Sequence, residues 1–426
     1  MKNTFFQISE NYNYQICLKL MSISILLIVP SSVVGVAILN LFLIFFDFLF
    51  LIFLIMNLKF FSINRNQKII LLFSLIYLSL NIFFSEDINL TFYRSLNLLK
   101  MIIFIFGFIF LFKSNKKLDI YFLTSVFITV VFVALDTYYQ FFFDYDFFGY
   151  EKVSNLGGRL SGPFNDEWVA GSFISKLTFL SLFFLLKFEK KIINIFFLIF
   201  LIVLTFLTNE RMASIILLFS SIFYFIFCDK KIIKNITICF LICFTLIFLI
   251  FNNQYLKKRY VDTTLSQLGI YESWHNNVGS FKGSQYYGHF SNAVEIFKKN
   301  ILFGSGLNTF RVVCGKEKYS TKELKKIKNS CSTHPHNFYF EILSDTGLFG
   351  FFLFLYFLIK IFKNIFYIQN YNQRIISLTI FLLLFWPIKT TGSIFSSWNG
   401  FLYLINISYI LYLSRYSGFL KKKLNN

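Results

Sequence analysis

Long apolar runs, broken at near-regular intervals by short polar segments, constrain this chain more than any other feature. A helix that crosses a bilayer needs about 20 predominantly apolar residues. Twelve stretches approach that length, near 16–30, 33–57, 68–85, 95–112, 119–139, 167–186, 191–208, 211–228, 232–252, 342–362, 374–391 and 397–414. Charged residues make up 15% of the 426 residues, against about a quarter in soluble domains, so an ordinary water-soluble fold is excluded. Phenylalanine occurs 64 times and proline only 4, a balance that also excludes disorder and collagen-like repeats. The runs show no short-strand alternation, which argues against a β-barrel. The fold class predicted is an all-α polytopic membrane protein of about twelve transmembrane helices. The first stretch ends at Pro30-Ser31-Ser32 and the second begins at once, so the pair predicts an uncleaved helical hairpin rather than a signal peptide.

Orientation follows from Lys and Arg in the short loops. One set of loops carries Lys59, Arg65 and Lys68; Lys113, Lys116 and Lys117; Lys187, Lys190 and Lys191; Lys230, Lys231 and Lys234; Lys363 and Arg374; and Lys421-Lys422-Lys423. The alternate set is Pro30-Ser31-Ser32, the Glu86-Asp87 segment, 140–166, Thr208-Asn209-Glu210 and 253–336. The alternation predicts both termini in the cytoplasm and an even number of spans. Much of the net charge of +20 is then topology signal and calls for no nucleic-acid partner. Three regions result: residues 1–252 with nine helices and an outward loop at 140–166; a long outward loop, 253–336; and residues 337–426 with three helices and a basic tail. The long loop predicts a short amphipathic helix near 290–300 and a Lys-rich segment at 316–328. No nucleotide-binding motif accompanies the helices, so any donor of a chemical group resides in the membrane.

All four histidines, His275, His289, His334 and His336, fall in the long loop. For three of them the simple reading is compositional, because loops take the polar residues that helices refuse. His336 is distinguished by the residues after it: Asn337, nine residues, then Gly347-Leu348-Phe349-Gly350 and an apolar run. A helix starting near Pro335 would put residues 336, 339/340, 343, 347 and 350 on one face. His336 would then top a face whose two glycines admit a neighbouring helix. An imidazole there, with an ordinary pKa near 6.5, suits proton transfer to or from a hydroxyl. A helix cap with packing glycines behind it is the competing reading.

These residues resemble the signature of the O-antigen ligase and polymerase superfamily. Ile301 to Phe310, with Gly304 and Gly306, is similar to the glycine-containing segment that precedes the histidine motif in that family. Thr208-Asn209-Glu210-Arg211-Met212-Ala213-Ser214 and Gly158-Arg159-Leu160-Ser161-Gly162-Pro163-Phe164-Asn165 resemble its two outward arginine segments. The chain departs from the pattern at Asn165-Asp166-Glu167, where many members have Asn-Pro-Asn, and at Ile215, where Leu is common.

The resemblance implies a glycosyltransferase that moves a glycan from a polyprenyl-diphosphate carrier to an acceptor, the lipid A-core for a ligase, on the periplasmic face of a bacterial inner membrane. Arg159 and Arg211 are the expected diphosphate ligands, since arginine binds phosphate oxygens bidentately and stays charged. The competing reading for Arg211 is snorkelling or pairing with Glu210. Arg94, beside an outward helix start, is a third candidate. His336 is the expected catalytic group, supported by Asn337, Gly347 and Gly350 of the motif. No cofactor is expected, and no metal is needed where arginines supply the cationic stabilisation. The partners implied are the lipid-linked glycan, a glycan acceptor and membrane lipid.

Cys314 and Cys331 are the two cysteines of the long loop, and an oxidising compartment favours a disulfide between them. A zinc site built from Cys314, Cys331, His334 and His336 is the alternative. The lysines of 316–328 form a solvated face or attract an anionic phosphate. A polymerase would share fold, donor and motif with a ligase. A transporter or flippase would need ionisable residues near mid-membrane, and Asp47, Asp136 and Lys176 keep that reading open, whereas Lys389 is expected to face the boundary.

Overall fold

The computed structural model of the chain describes residues 12–56, 65–152, 158–188, 191–228, 232–267, 281–322, 324–327, 330–390 and 392–424. Lys59, Lys190, Lys230, Lys231, His275 and Lys328 lie outside the described residues, as does 270–280 of the long loop. Nine helices come first: α1 (Tyr12–Val34), α2 (Val36–Met56), α3 (Arg65–Phe83), α4 (Ile88–Ser114), α5 (Leu118–Phe143), α6 (Ala170–Leu185), α7 (Lys191–Leu207), α8 (Arg211–Cys228) and α9 (Ile232–Asn252). The long loop holds α10 (Gln254–Lys257), α11 (Thr263–Gln267), α12 (Gln285–Lys299) and α13 (Phe310–Val313). Three helices close the chain, α14 (Phe338–Ile365), α15 (Tyr371–Phe385) and α16 (Ser397–Leu424). Among the described residues the sole extended pairing is one antiparallel bridge, Tyr145 to Glu151.

Eight of these helices have the length and apolar composition to cross a membrane: α1, α2, α4, α5, α6, α8, α9 and α14. The apolar part of α3 (Leu72–Phe83), α7 and α15 are shorter, so length and composition carry eight crossings and leave the count of twelve open. Burial ranks the helices by position. Inside the protein, 72% of the apolar window of α6 is buried against 17% for α9, which makes α6 the central pole and puts α9 at the rim. The α1–α2 hairpin forms, with Cys17 Sγ 3.3 Å from Leu49 O across it. Its turn is not at Pro30. The helix runs on to Val34 and breaks at Gly35, whose φ of 151° suits a residue without a side chain. Proline late in α1 removes one amide donor, and the hydroxyls of Ser31 and Ser32 bond Ile28 O and Val29 O nearby.

Lys176, Asp136 and Lys389 have local hydrogen-bond partners, whereas neither buried carboxylate oxygen of Asp47 has one. Lys176 on α6 donates to Ser172 Oγ at 2.5 Å and Asn399 Oδ1 at 2.8 Å. Asp136 on α5 accepts from Phe147 N at 2.8 Å, anchoring the loop after that helix. Asp47 on α2 is buried near Lys100 of α4, which donates to Asn40 Oδ1 at 2.8 Å. Lys389 does not face a boundary: it is buried, and its ammonium bonds the last carbonyls of α15, Leu383 O at 2.9 Å and Leu384 O. Cations at a helix C-terminus complete the orphan carbonyls there, which explains a lysine that sequence alone places at the surface.

α14 differs most from expectation. It begins at Phe338, not near Pro335, because the Asn337 side chain caps it by accepting from Tyr339 N (2.9 Å) and Phe340 N (3.4 Å). His336 sits outside the helix with φ 60°, and so shares no helical face with the glycines. Gly347 is itself a break in α14, at φ 64° and ψ −166°, a region open essentially to glycine alone. The backbone of 301–306 lies against that break and takes up its freed groups. Leu348 N donates to Ile301 O (2.8 Å), Ser305 N to Ser344 O (3.0 Å) and Gly306 N to Asp345 O (3.0 Å). From α3, Tyr77 OH reaches Thr346 O at 2.7 Å and Asn81 Nδ2 reaches Phe303 O at 2.6 Å. The glycines therefore admit a non-helical segment and the Tyr77 hydroxyl rather than a helix: a Cβ on Gly347 would meet Leu302 O at 2.5 Å, and one on Gly304 would strike the Asp345 carbonyl.

Gly347→Ala and Gly304→Ala should each cost at least about 2 kcal/mol, since strained backbone and backbone clash add. Gly315→Ala, with nothing within 4 Å of its Cβ, should be neutral. Thermal unfolding of the purified variants in one detergent checks both; an unaltered midpoint for Gly347→Ala would contradict this account of the break.

Candidate functional site

The residues that sequence analysis singles out come from segments far apart in the chain, and the fold gathers most of them at one end of the helix bundle. Arg211 opens α8, and its guanidinium donates to Thr264 Oγ1 (3.0 Å) and Gln267 Oε1 (2.7 Å) on α11. It is thus held by the long loop and does not pair with Glu210. Glu210 turns instead to the first amides of α6, accepting from Gly171 N (2.6 Å) and Ser172 N (3.1 Å), where the helix dipole favours an anion. Gly171 makes that approach possible, because a Cβ there would meet Thr208 Oγ1 at 2.5 Å.

Arg159 arrives from the loop after α5 and lies 5.6 Å from the Trp168 ring centroid, in cation–π range. It is close enough to act electrostatically on Glu210, Arg211 and Arg259. Its Nε and the Trp168 Nε1 are both buried and have no hydrogen-bond acceptor. Arg259, just after α10, is the third member of this cluster; its Nε is 3.4 Å from Asn209 O. Burial first, then Arg159 and Arg211, pull its guanidinium down to about 10. Its neighbour Tyr260 stacks on Phe206 at 5.0 Å and bonds Ser214 Oγ at 2.8 Å, fixing this turn of chain against α7 and α8. Arg94 is not part of the cluster. It donates to Phe395 O at 3.4 Å and sits near Arg311 and Glu341.

Three imidazoles stand on the other side of Tyr286. The Tyr286 ring is 6.1 Å from His336 and 6.3 Å from His289, while its hydroxyl lies beside the Arg211 guanidinium. His289 is 5.1 Å from His336 and His334 is 4.3 Å from it, centroid to centroid. Position thus brings His289 and His334 beside His336, a gathering that loop composition does not predict. His289 is buried, and its Nδ1 lies 3.0 Å from Ser330 O. A carbonyl only accepts, so Nδ1 carries the proton and Nε2 keeps its lone pair. Burial, reinforced by His334 and His289, pushes His336 down from its ordinary value to about 3. It is neutral at physiological pH, and is a weaker base than an unperturbed histidine.

The loop that presents the imidazoles is tied at several points. A disulfide joins Cys314 and Cys331, with Cα atoms 5.5 Å apart. The sulfurs that a zinc site would require are consumed in it, and among the described residues no group of three or more His, Cys, Asp or Glu is placed to hold a metal. Ser330, next to Cys331, also accepts from Asn292 Nδ2 at 2.7 Å. The lysines are partly engaged rather than wholly solvated. Lys316 (3.0 Å) and Lys318 pair with Glu86, which also accepts from Tyr319 OH at 2.9 Å. Burial opposes the Glu86 charge, but these partners outweigh it and hold the carboxyl at about 2. Asn337, besides capping α14, donates to Pro387 O at 2.8 Å.

An arginine cluster joined through a tyrosine to the neutral imidazoles of His289 and His336 can bind a multiply charged anion and take up a proton beside it. Residues 196–355 match the family model described as O-antigen ligase. The resemblance read from the motifs is thus found independently, over 160 of the 426 residues. That stretch holds Arg211, Arg259, His289, His336, Asn337, Gly347 and Gly350, and Arg159 precedes it. No curated protein matches the chain. Over the matched stretch the chain is similar to membrane glycosyltransferases of the O-antigen ligase type, a class that includes both ligase-like and polymerase-like activity.

Arg259 and Tyr286 escape the sequence reading. Lys257-Lys258-Arg259 is a basic run directly after an apolar stretch on the side expected to lack one. That exception to the alternation is the available signal. For Tyr286 there is none, in a stretch rich in tyrosine.

The depressed His336 pKa makes stability pH-dependent in a definite direction. In the unfolded chain the group titrates near 6.5, and in the folded chain near 3. Between those values the unfolded state holds a proton that the folded state rejects, so stability falls as pH falls through this window. At pH 5 the loss is about 2 kcal/mol, at 1.36 kcal/mol per unit. His336→Gln should remove it: the variant's unfolding midpoint should fall less than wild type's between pH 8 and pH 5, and parallel curves would contradict burial of this imidazole.

Proposed function

We propose that this protein transfers a glycan from a polyprenyl-diphosphate carrier to an acceptor hydroxyl at the outer face of a bacterial inner membrane, as an O-antigen ligase does. The observation that carries this reading is the meeting of Arg159, Arg211 and Arg259 with His336 across Tyr286. Three guanidiniums repel one another, and Glu210 is the acidic group that acts on Arg159. A diphosphate brings compensating charge and planar oxygen pairs that guanidiniums bind bidentately.

In this mechanism a bond forms between the acceptor oxygen and the anomeric carbon. The bond from that carbon to the diphosphate oxygen breaks, and its electron pair leaves with the polyprenyl diphosphate. The arginines stabilise the negative charge as it develops there. The hydroxyl proton passes to His336. A group that titrates near 3 cannot remove the proton from a free hydroxyl, so transfer comes late, once the new bond has made the oxygen acidic. His336 first accepts a hydrogen bond from the hydroxyl and so aims it. His289, with its proton held on Nδ1 by Ser330, presents a lone pair and not a charge to the same space.

Protein purified in detergent, given a polyprenyl-diphosphate oligosaccharide with lipid A-core or a second lipid-linked repeat, tests the reading. Glycan on lipid A-core identifies a ligase, and chain growth on the carrier a polymerase. His336→Ala should lower the rate about 10²–10⁴-fold, the usual worth of general acid–base assistance, without loss of carrier binding. Arg211→Gln and Arg259→Gln should instead weaken carrier binding, and Arg211→Lys should not restore it. A wild-type protein that neither binds the carrier nor transfers to either acceptor would sink the proposal.

A further inference from the structure

On the face of α12 turned away from the imidazoles, a groove of about 610 Å3 opens, and the transfer chemistry above makes no use of it. Helix α12 has two working faces. Tyr286, His289, Ala293 and Ile296 keep the three-and-four spacing of one face, with His289 in the imidazole cluster and Ala293 and Ile296 in the small core of the loop. Tyr287, Phe290, Ser291, Val294 and Lys298 keep that of the other, and they form one wall of the groove. The opposite wall is Thr321, Lys322 and Leu324, in the segment closed by the Cys314–Cys331 disulfide. The floor reaches Phe340 in the first turn of α14, four residues after His336.

The chemistry of the lining is specific. Phe290 and Phe340 stack at 4.9 Å and 14°, and both keep part of their rings accessible. Around these apolar faces stand the hydroxyls of Ser291, Thr321 and Tyr287 and the ammonium of Lys322. Glu295 is already paired with Lys298 at 2.7 Å, and so adds no free negative charge. Lys299 and Lys326 lie on the same two wall segments, Lys325 is paired with Glu317 at 3.9 Å, and the segments still carry more lysine than glutamate, which leaves the rim net positive. The volume falls in the usual range of ligand sites, about 300–1,000 Å3. The groove is partly open to its surroundings, so a bound chain can extend beyond it. Aromatic faces with a hydroxyl and ammonium rim match a sugar ring, which has one apolar face and an equatorial belt of hydroxyls, and the surplus of lysine favours acidic substituents.

We propose that this groove binds a run of sugar rings bearing acidic groups, the part of the acceptor glycan that lies beyond the reacting hydroxyl. The assignment to the acceptor rests on the transfer reading above; the groove's affinity for acidic saccharide does not. Phe340 and His336 share one short stretch of backbone, and His289 and Phe290 are adjacent on α12. A glycan seated in the groove would enter the site from the imidazole side, with the arginine cluster beyond Tyr286. The disulfide then has a function in addition to folding, since it closes the segment that forms one wall.

Full-length protein in detergent is titrated with short oligosaccharides of matched length: neutral, uronate-containing and phosphorylated. The acidic members should bind, more tightly with length and more weakly with salt. Ser291→Trp and Thr321→Trp fill the groove from opposite walls at partly exposed positions, so both should fold, and each should weaken binding about tenfold or more, near 1.4 kcal/mol. Lys322→Glu should weaken the acidic members and spare the neutral ones. Binding unchanged in both tryptophan variants, neutral members binding as tightly as acidic ones, or no member binding wild type would each overturn the proposal. Binding of undecaprenyl diphosphate is measured in the same preparations. If wild type binds acidic saccharide in the groove but not the carrier, the donor reading fails and the groove stands. If it binds the carrier and the tryptophan variants do not alter saccharide affinity, the groove fails and the donor reading stands.

Discussion

The break in α14 at Gly347 is the constraint on which the site depends. A helix interrupted within an apolar bundle exposes amides and carbonyls that must find partners, because no water reaches them there. Here the partners are supplied by the backbone of 301–306, with Asn81 and Tyr77 from α3. The bonds that satisfy the break therefore also pin the middle of the long loop to the helix that carries Asn337 and, just before it, His336. Gly304 and Gly347 are needed because two backbones meet at a distance that no Cβ permits. What sequence inspection presents as two features, a glycine-containing segment and a histidine motif with trailing glycines, is one joint.

A second constraint is electrostatic. Three arginines, a carboxylate and three imidazoles share one end of the bundle, where partial burial strengthens every interaction between charges. Three of the charged groups are fixed by neutral partners, Glu210 on the amides of α6, Arg211 on α11 and Arg259 on the backbone of Asn209, while Arg159 rests against the Trp168 ring with its Nε unpaired. Burial lowers the pKa of His289 and His336, so these two imidazoles add no charge. A protonated His336 would bring a further cation toward guanidiniums that already repel one another. Burial among His289 and His334 holds it neutral, and a neutral imidazole can accept a hydrogen bond.

The fold class is legible from composition and run length alone, because the bilayer imposes a length on every helix that crosses it. His336 and Asn337 are legible from spacing and Arg159 and Arg211 through the resemblance, and His336 and Arg211 meet around Tyr286 while Asn337 serves as a cap. Other features are hidden for physical reasons. Sequence misplaces the start of α14 because Pro335 and Asn337 are both good starters, and only the observed bonds show that the asparagine side chain wins. The break at Gly347 passes for helix packing because a glycine that frees backbone groups and one that admits a neighbour look identical in one dimension. His289 passes for loop composition because its placement comes from a contact with Ser330, 41 residues away. Arg259 is easily overlooked although its signal is present, since a basic run on the side that topology rules leave neutral calls for a reason.

That exception bears on how basic residues divide between topology and function in such a chain. Lysines that orient helices need only sit near a membrane surface, and they tolerate exchange of position. Much of the surplus charge satisfies that description. Arg259 does not: its guanidinium is partly buried, lies against two other guanidiniums and is held by a backbone carbonyl. A cation placed where like charges repel it raises the free energy of the empty site, and the fold offsets that cost through Tyr260, Phe206 and Ser214 on the adjoining helices. On the proposed reading that cost is recovered when the diphosphate arrives, and repulsion among the arginines then favours the carrier over neutral lipids of the same shape.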